Sequence, residues 1–99
     1  MATLHMLSHS PFSDSRLVSC LRLLGPGDGV LLTGDATYAM QPDTAQWQAL
    51  SLMPESISLF ALEEDLHARH LALPPRVKAL DYPGFVECCT AFAKVNTWL

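Results

Sequence analysis

The segment Gly25–Asp35 constrains the fold of this chain more than any other stretch, because it packs a helix stop, a strand and a turn into immediate succession. Gly25-Pro26-Gly27-Asp28-Gly29 ends whatever helix precedes it. Val30-Leu31-Leu32-Thr33 is then a continuous apolar run, not an alternating one, which is the pattern of a strand in a parallel sheet covered on both faces. Gly34-Asp35 turns the chain, with Asp35 placed to cap a short helix from Ala36 to Met40. A strand buried on both faces needs helices above and below it.

The rest of the chain supplies them. Thr3–Leu7 reads as a first strand ended by Ser8-His9-Ser10-Pro11, and Ser13 is placed to cap the next helix, on which Leu17, Cys20, Leu21 and Leu24 recur at helical spacing. After Pro42-Asp43, Thr44–Leu50 reads as a short helix carrying Trp47. Ile57–Leu62 is the third strand, and Glu63-Glu64-Asp65 opens a helix to about His70, with its acids at the positive end of the helix dipole. Pro74-Pro75 ends that unit and Val77–Leu80 is the fourth strand. Asp81-Tyr82-Pro83 starts the last helix, with Phe85, Val86, Cys89 and Phe92 as its expected buried face. Val95–Leu99 is a tail or a short fifth strand. One domain over residues 1–99 is expected, with a three-layer α/β fold: a mostly parallel four- or five-stranded sheet, helices on both faces, and the flavodoxin-like strand order 2-1-3-4. In such a sheet ligands meet the carboxyl ends of the strands, here Ser8–Ser10, Gly34-Asp35, Glu63-Glu64 and Asp81-Tyr82.

Composition narrows the function. Hydrophobic residues make up 49% of the chain and charged ones 16%, against roughly 25% charged in an ordinary domain. So few charges cannot cover the surface, and part of the apolar excess is expected to be buried against other chains. A net charge of −4, with Lys and Arg spread along the chain, argues against direct contact with nucleic acid. The N-terminus has no signal-peptide pattern and no apolar run approaches the roughly 18–20 residues of a membrane span. Three cysteines without a secretion signal indicate reduced thiols and a cytoplasmic protein.

Few residues promise chemistry. The glycines of Gly25–Gly29 precede a strand, whereas a phosphate loop follows one and opens a helix, so they read as a turn. His67 and His70 have a spacing that can hold a metal, but no motif supplies further ligands, and a solvated helix face accounts for them. No cofactor motif is present. His5 reads as a satisfied core or edge residue, and His9 as a neighbour of the strand-end crevice. Cys88 and Cys89 diverge by about 100° on a helix, so one fills the core and the other is more exposed. Cys20 has two readings. A thiolate is the natural carrier of a persulfide, yet a cysteine on the apolar stripe of a helix has a raised pKa and is inert.

Several pieces in order resemble one family. Leu4-His5-Met6-Leu7 with Ser10-Pro11, Leu31-Leu32-Thr33-Gly34-Asp35 with Tyr38-Ala39, Ala61-Leu62-Glu63-Glu64-Asp65-Leu66 with Ala68-Arg69, Leu80-Asp81-Tyr82 with Phe85-Val86, and the closing Trp98 are similar to the TusB/DsrH family over essentially the whole chain. The resemblance implies a DsrE-like fold and a subunit of a sulfur relay. TusB-like proteins join TusC-like and TusD-like subunits in a heterohexamer, a dimer of heterotrimers. That assembly takes persulfide sulfur from a TusA-like donor and passes it to a TusE-like acceptor, for 2-thiolation of the wobble uridine of certain tRNAs.

DsrH-like proteins form the matching assembly in sulfur-oxidising bacteria. In both, the main carrier cysteine belongs to the TusD- or DsrE-type partner. DsrH-type members also carry a cysteine in the first helix, where Cys20 falls, and many TusB members lack it, so Cys20 is the candidate persulfide carrier of this chain. The resemblance therefore implies a subunit for tRNA thiolation, with a DsrH-type subunit using Cys20 as the alternative. A stand-alone flavodoxin-like binding module is a third reading, against which the missing phosphate loop and the low charge both count.

Overall fold

The computed structural model describes residues 2–98. The elements run β1 (Thr3–Leu7), α1 (Arg16–Leu23), β2 (Gly29–Leu32), a 3-10 helix (Gly34–Met40), α2 (Ala45–Ser51), β3 (Ser58–Leu62), α3 (Glu63–Ala68), β4 (Lys78–Leu80), α4 (Tyr82–Ala91) and β5 (Lys94–Trp98). Capping chemistry sets several boundaries. Thr44 accepts a hydrogen bond from Trp47 N and starts α2, and Asp81 accepts one from Gly84 N at 2.8 Å and starts α4, with Pro83 in the first turn.

Other helix ends differ from expectation. α1 begins at Arg16, and it is Asp14 that takes the Arg16 N–H at 3.0 Å, while the Ser13 hydroxyl donates back to Ser10 O. Asp35 does not cap; it lies inside the 3-10 helix, whose first turn is tied instead by the Thr37 hydroxyl on Gly34 O at 2.6 Å. α3 ends at Ala68, and His70 adopts φ 53°, so the chain leaves the helix through a left-handed residue with Leu71 N bonded to Leu66 O.

All five strands are parallel, in the order β4-β3-β2-β1-β5. The expected tail is β5, paired with β1 from Thr3↔Lys94 to Leu7↔Trp98; Leu99 lies outside the described residues. The flavodoxin-like order 2-1-3-4 is not adopted. The reason is visible in the core. Ala36, Ala39 and Met40 of the 3-10 helix and Leu50 of α2 join the cluster of Leu17 and Cys20 from α1. The β2–β3 connection therefore lies on the same face as α1, and a right-handed crossover on that face can only step the chain outward, beyond β2. α3, through Leu66, repeats the step to β4. The return from β4 to β5 runs the other way, so its right-handed crossover puts α4 on the opposite face.

The sheet is thus sandwiched unequally. One face carries α1, the 3-10 helix, α2 and α3. Among the described residues the other carries α4 alone, over Leu4, Leu31 and Leu80, with Met6, Phe60 and Leu62 partly buried. The buried stripe of α4 is Phe85, Cys88, Cys89 and Phe92, and Val86 is 52% exposed, contrary to the expected face. Positions 85, 88, 89 and 92 follow one helical ridge, from which 86 points away. Arg76 closes the loop between α2 and β3, donating to the carbonyls of Ser51, Met53, Pro54 and Ile57.

Candidate functional site

Because the strands are parallel, their carboxyl ends share one edge, and the four segments expected along it lie there. Thr33 anchors the end of β2 to that of β1, with its N–H and its hydroxyl both on Leu7 O at 2.9 and 3.0 Å. Asp65 accepts Gly34 N at 2.8 Å and ties α3 to the turn after β2. Arg69 spans the same gap: it donates to Asp35 at 2.9 and 3.2 Å, lies 3.6 Å from Asp65, and sits 5.8 Å from the centre of the Tyr38 ring. These contacts make the β2 and β3 ends a rigid, mostly acidic rim.

The neighbouring strands β3 and β4 send α3 and α4 to opposite faces, which is the switch point at which a crevice opens in an α/β sheet. Here it is a shallow crevice of about 300 Å³ lined by Glu63, Glu64, His67, Asp81 and Tyr82. It holds carboxylates, an imidazole and a phenol, and no thiol. A second groove, of about 470 Å³, runs between α4 and the β3–β4 edge, and Phe60, Lys78, Leu80, Asp81 and Cys88 are among its walls.

Cys20 lies away from both. It is 0% exposed within the larger core cluster. Burial pushes its thiol up to about 12, and the negative charge of Asp28 adds to the effect. At neutral pH it is a protonated, solvent-shielded group in this conformation. Cys88 is buried against the second face and its thiol is likewise pushed up, first by burial, then by Cys89, with Lys78 opposing. Cys89 is half-buried. The two cysteines divide between core and partial exposure as helical geometry requires.

His67 and His70 are both exposed, and the left-handed turn at His70 takes it off the helix. They therefore do not form the helical pair that their spacing suggested. Among the described residues no group of three or more His, Cys, Asp or Glu side chains is placed to hold a metal ion. His9 is exposed after β1, and its field contributes to holding the Asp14 carboxyl low, behind the Arg16 backbone and side-chain contacts. Among the described residues no helix is long and apolar enough to cross a membrane.

Sequence reasoning missed one arrangement. His5 is buried at 6% exposure and flanked on both sides: its Nδ1 accepts Trp98 Nε1–H at 3.1 Å, and its Nε2 faces Asp28 Oδ2 at 3.7 Å. Asp28 also accepts Thr3 N at 2.8 Å and Gly25 N at 2.9 Å, and these two bonds chiefly hold its carboxyl below the usual range. No local signal links these positions, since the Trp98–His5 bond spans 93 residues of sequence.

A family profile described as "DsrH like protein" matches residues 9–95. The chain belongs to the DsrH-like family. Among curated proteins, this DsrH-like chain is 37% identical over 97 residues to "Protein TusB" of Erwinia tasmaniensis, covering 96% of the chain and 99% of that protein. It is 34% identical to "Protein TusB" of Serratia proteamaculans and 32% identical to that of an Escherichia coli strain, each over the same shares of the two chains. Among solved structures, "ychN protein from E.coli" superposes with a TM-score of 0.81 over 99% of this chain and 100% of that one, at 16% identity, a likeness of fold alone. The three-layer α/β class with helices on both faces is thus the fold of this DsrH-like chain.

Proposed function

We propose that this chain is a TusB-like subunit of a cytoplasmic sulfur-relay complex, joining TusC-like and TusD-like subunits and serving 2-thiolation of the tRNA wobble uridine. The observation that carries the reading is the end-to-end similarity to curated TusB proteins, at 37% identity over 99% of one of them. The burial of Cys20 supports a role in completing the assembly, with the carrier thiol on a partner. α4 supports an assembly as well. Glu87 is the one charge on Tyr82–Ala91, yet Tyr82 is 68% and Val86 52% exposed on the lone helix of its face. A helix so apolar on all sides is usually covered. The chain's negative charge supports tRNA being held elsewhere in the relay.

A second reading rests on Cys20 itself, which falls where DsrH-type subunits carry a cysteine. In it the chain serves sulfur oxidation and Cys20 carries persulfide after a rearrangement that exposes it.

Nucleoside analysis of bulk tRNA by mass spectrometry, from wild-type, deletion and Cys20→Ser strains, tests both. The expected result is loss of 2-thiouridine in the deletion strain and near-normal levels in Cys20→Ser. Unchanged 2-thiouridine in the deletion strain overturns the tRNA reading. Equal loss in both strains, with the variant still co-purifying with its partners, makes Cys20 a working carrier.

A further inference from the structure

We infer that Trp98, His5 and Asp28 form a proton-sensitive latch, in which protonation of His5 Nδ1 releases the carboxyl end of β5 from the sheet. The geometry assigns the tautomer. An indole N–H only donates, so Nδ1, 3.1 Å from Trp98 Nε1, must present a lone pair. The single ring proton is then on Nε2, facing Asp28 Oδ2 at 3.7 Å. A proton taken from solvent onto Nδ1 turns the acceptor into a donor and sets two N–H groups against each other.

The imidazolium does not leave, because the carboxylate of Asp28 faces it and Asp28 is itself fixed by Thr3 N and Gly25 N. Trp98 is the partner that gives way. Among the described residues no other titratable side chain bonds to the His5 ring. α1 brings the Cys20 thiol, which is protonated and feels the same Asp28 charge. Arg22 in the last turn of α1, Lys94 at the start of β5 and His9 beyond β1 are exposed.

β5 is suited to such release. It is an edge strand whose one neighbour among the described residues is β1, and Lys94 to Thr97 are exposed. Trp98 is its one side chain packed against the larger core cluster, the cluster that contains Cys20. Freeing it exposes the backbone donors and acceptors where Thr97 and Trp98 pair with Met6 and Leu7, and loosens one seal of that cluster.

The test is NMR of the uniformly 15N-labelled full-length chain between pH 8 and pH 5. At pH 8 the His5 nitrogens should report a proton on Nε2 alone, and the Trp98 indole N–H should be protected. At pH 5 the protection factors of the Trp98 indole and the Thr97 and Trp98 amides should fall about fivefold or more, the loss expected from one hydrogen bond, while the Trp47 indole and the β2 amides hold steady. In His5→Gln, whose side-chain oxygen still accepts but does not titrate, the change should vanish. Trp98→Phe should be loose at both pH values, and it serves if His5→Gln does not fold. An Nδ1-protonated ring at pH 8, wild-type protection that is the same at both pH values, or an equal loss in His5→Gln would overturn the latch.

Discussion

The ring of Phe92, at the end of α4, closes on the bare Cα of Gly29 at the start of β2: a Cβ at position 29 would stand 2.7 Å from Phe92 Cζ and 3.2 Å from Leu4 Cδ1. Two side chains would have to give way together, one from the helix and one from the neighbouring strand. Gly29 is thus what lets the lone helix of the second face seat against the sheet. Gly29→Ala should destabilise the chain by about 1–3 kcal/mol, read as a lower urea midpoint with an unchanged slope. Adding Phe92→Leu should recover part of the loss, and a Gly29→Ala protein as stable as wild type would show that the contact is slack.

The three thiols should react in the order of their exposure. At neutral pH Cys89 should be alkylated first, Cys88 more slowly, and Cys20 only after denaturation, because its thiol is solvent-shielded and pushed up to about 12. Peptide mapping after timed alkylation reads the order. Native labelling of Cys20 as fast as Cys89, or a persulfide on its peptide after incubation with a loaded donor, would favour its role as carrier.

Asp28 should make stability pH-dependent in the acid range. Its folded value is held below the usual 3.8, first by the Gly25 N–H, then by the Thr3 N–H. The folded state therefore binds this proton less readily than the unfolded chain, so the stabilisation is fully present above pH ~4 and is lost as pH falls through the folded value. Asp28→Asn should cost about 1–2 kcal/mol at pH 7, and the gap to wild type should narrow at pH 3. Urea unfolding at pH 7, 5 and 3 measures it, and a gap independent of pH would refute the charge-based account.

His70 stands in the left-handed region at φ 53° while exposed to solvent. A β-carbon is penalised there and glycine is not. His70→Gly should therefore stabilise the chain by about 1 kcal/mol, the lower end of the left-handed penalty, seen as a higher Tm, whereas His70→Val should lower it.

Much of the architecture was legible because it is written in short-range chemistry. The continuous run Val30–Leu32 announced a strand covered on both faces, and all three residues are buried. Helices were expected to open at Thr44 and at Asp81-Tyr82-Pro83, and they begin one residue on, at Ala45 and Tyr82, with Thr44 and Asp81 accepting a backbone N–H as their caps. Strand order was not legible, because nothing local in residues 34–51 states which face of the sheet the connection will choose. That choice is made when Ala36, Ala39, Met40 and Leu50 find the cluster around Leu17 and Cys20, and handedness then dictates where β3 must go.

The candidate site divides the same way. By itself the sequence determined the period and polarity of each element, the crowding of acids at the carboxyl edge, and a family likeness that spans the chain. Only the tertiary structure decided that Cys20 is sealed, that Cys88 rather than Val86 turns inward, and that His5 has Trp98 on one side and Asp28 on the other. Helix and strand periods depend on near neighbours and survive in any one-dimensional reading. Desolvation of a thiol and the pairing of a buried imidazole depend on what the fold brings from 25 or 93 residues away, and that distance is closed only by packing.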